Sequence, residues 1–182
     1  VDDIDVELTV GTAEQLDPLA PLWTAMVDHH RQLEGHALPV RDSEQAWVLR
    51  REEYRSWLAD GTGRLLVARS RATATPRGYA FLRTLPDSPT FDFGGRRGEV
   101  ESLVVAADAR GAGVGTALLE AARGEARRLG CTYWSVSVME ANSGAVQVYE
   151  RAGFRPWLHQ DDGPQGRNRS KASLMAVARA GS

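Results

Sequence analysis

The sequence is poor in residues that staple a chain or ligate a metal. It has one cysteine, Cys131, in 182 residues. An internal disulfide is therefore excluded, and so is a cysteine-based zinc site within one chain. The four histidines, His29, His30, His36 and His159, show no H-E-x-x-H or similar ligand spacing, so no metal is expected. No apolar run approaches the roughly 18 residues that a membrane-spanning helix needs. Neither sign of charge dominates: 22 basic against 24 acidic side chains leave a net charge of −2. Nucleic-acid partners usually go with a basic excess, so none is expected. No signal segment is visible before the first strand, which makes the cytoplasm the expected location.

What is present suits a globular chain. An apolar content of 42% and a charged content of 25% allow a real core, and the length points to a single domain spanning 1–182. Ile4, Val6, Leu8 and Val10 alternate with Asp5, Glu7 and Thr9, the period of a half-buried strand. A helix follows from near Asp17-Pro18 or Pro21 to Gly35, with Leu19, Leu22, Trp23, Met26, His30 and Leu33 on one face. Ser43 is the expected cap of a second helix ending near Ala59. Residues 65–68 and 78–84 read as a hairpin, and 86–98 as a long loop of the kind that often carries function. A strand at 100–105, a glycine-rich turn, a helix at 116–129, a strand at 131–138 and a short helix at 143–151 come next. Strands at 154–158 and 173–178 close the chain around a polar loop containing Asp161-Asp162-Gly163-Pro164. The order β-α-α-β-β-β-α-β-α-β-β is a mixed α/β (α+β) domain with one central sheet.

The glycine-rich turn carries the chemistry. Arg110-Gly111-Ala112-Gly113-Val114-Gly115-Thr116 lies between a strand and a helix. Its glycines let the backbone turn sharply and approach a ligand. The first helix amides lack partners and, with the helix dipole, suit a phosphate, to which Arg110 adds charge. A Walker A loop needs a lysine that is missing here, and the dinucleotide fingerprint needs G-x-G-x-x-G, whereas this loop reads G-x-G-x-G-T. Spacing alone leaves an anion site or merely a glycine-rich helix start.

At this point the sequence resembles the GNAT superfamily of N-acetyltransferases. Arg110, Gly113 and Gly115 satisfy that family's [RQ]-x-x-G-x-[GA] loop. The stretch from Asn142 through Ala145 and Tyr149 to Gly153-Phe154 looks like its N-x-x-A-x-x-x-Y-x-x-x-G-F segment. The resemblance implies a central mixed, mostly antiparallel sheet with helices on both faces and splayed parallel strands at the coenzyme site. It implies acetyl-CoA as co-substrate, with the pyrophosphate on Arg110, Gly111, Ala112, Gly113, Val114, Gly115 and Thr116. The pantetheine arm would bond to the backbone of Leu103, Val104 and Val105, and Asn142 would contact it. Dimers are common in the family, so a homodimer through the final hairpin is one expectation.

Thioester aminolysis sets two demands. A lysine-like amine with a pKa near 10.4 is free in only about one molecule in 2,500 at neutral pH, which adds about 4–5 kcal/mol to direct attack unless a base helps. Glu99 and Glu101 lie two apart on one strand and are expected on one face, with Ser102 on the other. The resemblance implies that one of the two glutamates is the base or holds a water. The second demand is a proton for the departing thiolate. Tyr149 stands two helical turns beyond Asn142 on the same face, and the resemblance makes it the general acid beside the sulfur. Cys131 has no adjacent histidine and is expected to pack rather than carry the acetyl group.

The acceptor is a small-molecule amine or a peptide or protein amine. Trp23, Trp47, Tyr54 and Trp57 are available to line its site, although helical spacing favours core for most of them. Phe91 and Phe93 alternate in the 86–98 loop and are candidates for a lid, with Asp92 placed to meet a cation. Glu34, Glu44, Glu52 and Glu53 are further candidates to pair with a cationic amine, although a solvated helix face is the favoured reading for each. The adjacent pair His29-His30 is assigned no role.

Overall fold

The computed structural model describes residues 5–34, 40–139, 141–160 and 173–181. Its strands are β1 (Val6–Gly11), β2 (Gly63–Ser70), β3 (Pro76–Pro86), β4 (Arg96–Val105), β5 (Tyr133–Met139), β6 (Arg155–Gln160) and β7 (Ser173–Arg179). Its helices are α1 (Ala20–Glu34), α2 (Ser43–Ala59), α3 (Val114–Arg128) and α4 (Ser143–Arg151). All seven strands form one sheet in the order β1-β2-β3-β4-β5-β7-β6. Only β4 and β5 run parallel, so the sheet is mixed and mostly antiparallel, as the family resemblance implied. Ile4, Gly35 and the loop at 161–164 lie outside the described residues.

Period-two alternation sorts the strand side chains into two cores. Leu65, Val67, Tyr79 and Phe81 face α1 and α2, where they meet Leu19, Trp23, Val27, Trp47 and Tyr54. Leu66, Ala68, Ala80 and Leu82 face the opposite way, against Val114, Leu118, Leu119, Ala122 and Ala126 of α3 and Tyr149 of α4. Helices therefore cover both faces.

Strand β4 breaks the alternation, and the break decides where the site lies. Val100 belongs to the α3 side and Val104 to the α1/α2 side. The cause is a bulge: Phe81 pairs with Ser102 and Leu82 with Val100, which leaves Glu101 without a partner on β3. One extra residue reverses the facing of everything beyond it. Ser102, expected to point away from Glu101, instead shares its side. The Tyr54 hydroxyl of α2 donates to Ser102 Oγ at 2.6 Å, and Arg50 of the same helix reaches Glu101. Strict alternation has no means of announcing a bulge.

Two boundaries also move. Asp42, not Ser43, caps α2: its carboxylate accepts from the backbone N–H groups of Glu44 and Gln45. Strand β4 begins at Arg96 rather than Val100. Gly98 makes this possible, because a side chain there would press on Leu82 and on Trp134, each 3.3 Å from an added Cβ. The loop shrinks to 87–95, and Asp87 ties it by accepting from the N–H groups of Ser88, Phe93 and Gly95.

The Tyr54–Ser102 bond is buried, so its loss has a measurable cost. Tyr54→Phe leaves Ser102 Oγ without its donor and should lower stability by about 1–2 kcal/mol in urea denaturation. An unchanged midpoint would mean that the bond does not hold α2 to β4.

Candidate active site

The site opens where β4 and β5 stop pairing. Their parallel register runs from Arg97 with Tyr133 to Val100 with Val136 and ends there. Beyond it, β4 stays with β3 and β5 stays with β7. The bulge at Glu101 stands at the point of parting. Past this point the margin of β4 that faces β5 has no strand partner.

The chain then turns through a 3-10 turn (Ala107–Ala109) into the glycine loop. Gly111 and Gly113 hold φ of 79° and 83°, a left-handed conformation that side chains other than glycine adopt at a cost of about 1–2 kcal/mol. Gly113 is the N-cap of α3 and offers no side-chain acceptor. The first internal bond of the helix is Ala117 N–H to the Gly113 carbonyl. The amides of Val114, Gly115 and Thr116 are thus left for a ligand. Arg110 donates from Nε to the Val105 carbonyl at 3.4 Å, which folds its side chain back towards the end of β4.

A continuous cleft of about 930 Å³ joins these parts. Its walls include Leu103, Val104, Val105, Arg110, Gly111, Gly113, Gly115, Thr116, Asn142 and Tyr149. Ala112 and Val114 are not on the wall; Val114 is buried in the core beneath α3. Asn142 has a structural task as the N-cap of α4, its Oδ1 accepting from Ala145 N–H at 3.2 Å. The Tyr149 ring is 93% buried (7% exposed) and meets Phe154 edge-on at 5.7 Å. Burial pushes its phenol well above the ordinary value of 10.0, so it keeps its proton at every working pH.

The far wall of the cleft belongs to α1, α2 and the bulge: Trp23, Met26, Val27, His29, His30, Leu33, Arg50 and Glu101. Glu101 Oε2 lies 3.3 Å from Arg50 and Oε1 lies 3.9 Å from Arg83. The Arg50 guanidinium sits over the rings of Trp23, Tyr54 and Trp57 at 5.3–5.7 Å, a partly buried setting in which cation–π attraction is stronger than at an open surface. Glu99 is not on the wall; it lies 4.0 Å from Arg97. Its carboxyl is raised above the ordinary value, by burial first and then by the charge of Glu101.

Phe91 and Phe93 form no lid over the cleft. Phe93 packs against Tyr133 and Trp157, and Phe91 meets Trp157 at 4.9 Å, near the starts of β4 and β5 rather than their parted ends. Asp92 accepts from Gly94 N–H within the same loop. Trp47 and Tyr54 are core. Glu52 pairs with Arg55 and Glu53 with Arg50, while the side chain of Glu34 lies outside the described residues. Cys131 is buried away from the cleft, and burial raises its thiol. Among the wall residues that the sequence argument did not assign to the site are Arg50, His29 and His30. Arg50 stands three, four and seven residues from Trp47, Tyr54 and Trp57, a cation on an aromatic helix face that the spacing made visible. His29 and His30 both reach the wall because the cleft is wider than one helical stripe.

Residues 23–154 match the Acetyltransferase (GNAT) family. The chain belongs to the GNAT family. A curated relative, mycothiol acetyltransferase of Propionibacterium freudenreichii subsp. shermanii, is 34% identical over 164 residues. The match covers 84% of this chain and 47% of the relative, so the chain spans about half the relative's length. Among solved structures, ribosomal-protein-alanine N-acetyltransferase from Brucella melitensis superposes with a TM-score of 0.68 at 21% identity, covering 95% of this chain and 99% of that one. A phosphinothricin acetyltransferase from Sinorhizobium meliloti in complex with acetyl-CoA gives a TM-score of 0.68 at 18% identity, covering 96% and 88%. These two likenesses establish a shared GNAT fold.

Acetyl-CoA is the acetyl donor of GNAT acetyltransferases, and this loop fits it: two left-handed glycines and a run of free helix amides are what a pyrophosphate needs. Gly113→Ala strains that cap by about 1–2 kcal/mol. Coenzyme A binding measured by calorimetry should weaken about tenfold, and unchanged affinity would remove the cap from the donor site.

Proposed function

We propose that the protein transfers the acetyl group of acetyl-CoA to a primary amine by direct attack, with both substrates bound together. The observation that carries this reading is the single cleft. It runs from the glycine loop, past Tyr149, to a separate wall made by α1, α2 and Glu101. Donor and acceptor therefore have different walls of one space, which suits a ternary complex better than a relay through Cys131.

The residues take the following parts. The amides of Gly115 and Thr116, with Arg110, hold the pyrophosphate. The margin of β4 at Leu103, Val104 and Val105 holds the pantetheine arm, and the free side-chain amide of Asn142 adds a contact. A backbone amide of β4 near Val105 meets the carbonyl oxygen as it gains charge. Tyr149 gives its proton to the departing sulfur. The same dry wall that raises the phenol raises the proton affinity of a thiolate formed beside it, so the pair stays matched. Glu101, on the wall and negatively charged, receives and orients the acceptor ammonium, and Glu99 supports the field from behind.

The acceptor is a small-molecule or peptide amine. The relative's name makes a thiol-bearing amine of the mycothiol type one compound to include in an amine panel. In thiol-release assays, Tyr149→Phe should cut kcat by about 10²-fold with coenzyme affinity unchanged. Wild-type turnover in that variant would remove Tyr149 from the chemistry. Glu101→Gln should raise the acceptor KM and lower kcat/KM by about tenfold or more, while Glu99→Gln should have a smaller effect; the reverse order would exchange their parts.

A further inference from the structure

The acceptor wall holds more proton acceptors than the GNAT resemblance calls for. Among the described residues they are Glu101 from β4 and His29 and His30 from α1. Both oxygens of Glu101 already face guanidinium groups, those of Arg50 and Arg83, and protonating the carboxylate would break both ion pairs. A carboxylate held in this way is fixed in place and keeps lone pairs that can accept a hydrogen bond from an ammonium. It is less suited to keeping that ammonium's proton. His30 has no such engagement: it is half-buried on the same wall, with the ring of His29 6.4 Å away.

We propose that His30 accepts the first proton of the acceptor ammonium, so that Glu101 positions the amine and His30 activates it. This rests on the amine-transfer reading and adds a residue to it. The step balances. An N–H bond of the ammonium breaks and an imidazole N–H forms. The freed lone pair makes the C–N bond, and the C–S bond breaks. Sulfur takes the proton of the Tyr149 hydroxyl. The second proton leaving nitrogen, as the amide forms, restores that hydroxyl, and His30 passes its own to solvent. Ammonium and thioester become amide, thiol and one released proton.

The surroundings suit a neutral imidazole. Burial first, and the neighbouring His29 second, lower His30 below its ordinary value of 6.5. Beyond His29, α1 itself carries Asp28 and Arg31, which pair with each other, and Glu34, whose side chain lies outside the described residues. Among the described residues, the elements packed most extensively against α1 are α2, β4 and the 3-10 turn Asp17–Leu19. From α2 come Arg50, paired with Glu53 and Glu101, and Arg51, Glu52 and Arg55, which pair among themselves and with Asp17. From β4 comes Glu101. His30 must be neutral to act, so kcat/KM should hold through neutral pH, with its acid limb lying below the ordinary histidine value of 6.5.

The test compares two acceptors in one protein sample: an alkylamine, charged at neutral pH, and an arylamine, already neutral there. His30→Gln should lose about 10²-fold in kcat/KM on the alkylamine and little on the arylamine. The acid limb should disappear. Because the ratio is taken within one sample, any loss of folded protein cancels. An NMR titration of the His30 ring in the wild type should give a pKa matching the kinetic limb. Equal losses on both acceptors, or an acid limb that survives the substitution, would overturn the role of His30. A wild type inactive on every amine would overturn the transfer reading and this one with it.

Discussion

The site depends on one geometrical event, the parting of two parallel strands. Strands β4 and β5 pair only as far as Val100 and Val136. At that point an unpaired residue, Glu101, bends β4 towards β3. A bulge raises local twist and re-aims side chains, and here it does three things together. It opens a gap in the middle of a sheet. It places a carboxylate at the apex of the gap. It also turns Ser102 and Val104 towards α1 and α2, the helices that line the far wall of the cleft. Without the bulge, Glu101 and Val104 would not both serve the same side.

Around the apex, charge is arranged by burial more than by abundance. Arg50 shares its cation among three aromatic faces and two carboxylates, those of Glu53 and Glu101. Directly behind lie the hydroxyls of Tyr54 and Tyr79 beside Ser102, with Tyr54 pushed up to about 12 mainly by desolvation and Tyr79 also raised well above its ordinary value, again by burial first. The phenols near the cleft, Tyr149 included, therefore stay protonated throughout the working range. In the proposed chemistry, proton acceptance would fall to the glutamates and histidines, and the donor would be held by backbone amides, which carry no proton that pH can remove.

Much of the fold was legible because local rules and global packing agree. Alternation in β2 and β3 assigns Leu65 and Leu66 to opposite cores, and each is found there. The glycine loop was legible through conformation: Gly111 and Gly113 occupy φ values that only glycine takes readily. Tyr149 was placed on the Asn142 face by helical spacing alone. The errors share a cause as well. Facing in β4 failed at a bulge, which depends on the partner strand. Phe91 and Phe93 looked like a lid because their loop is polar; their packing partners, Tyr133 and Trp157, come from strands far along the chain. His29 and His30 were set aside on the assumption that a wall is one helical stripe wide.

A sheet ordinarily has two margins, and here the outer ones are β1 and β6. The parting of β4 and β5 creates two more, inside the molecule and facing each other. An inner margin cannot recruit a strand from another chain as an outer margin can; it accepts only something thin and extended that carries amides of its own. On the proposed placement of the donor along β4, it would be less a guest on the surface than a missing strand, and its binding would tie the two halves of the sheet together.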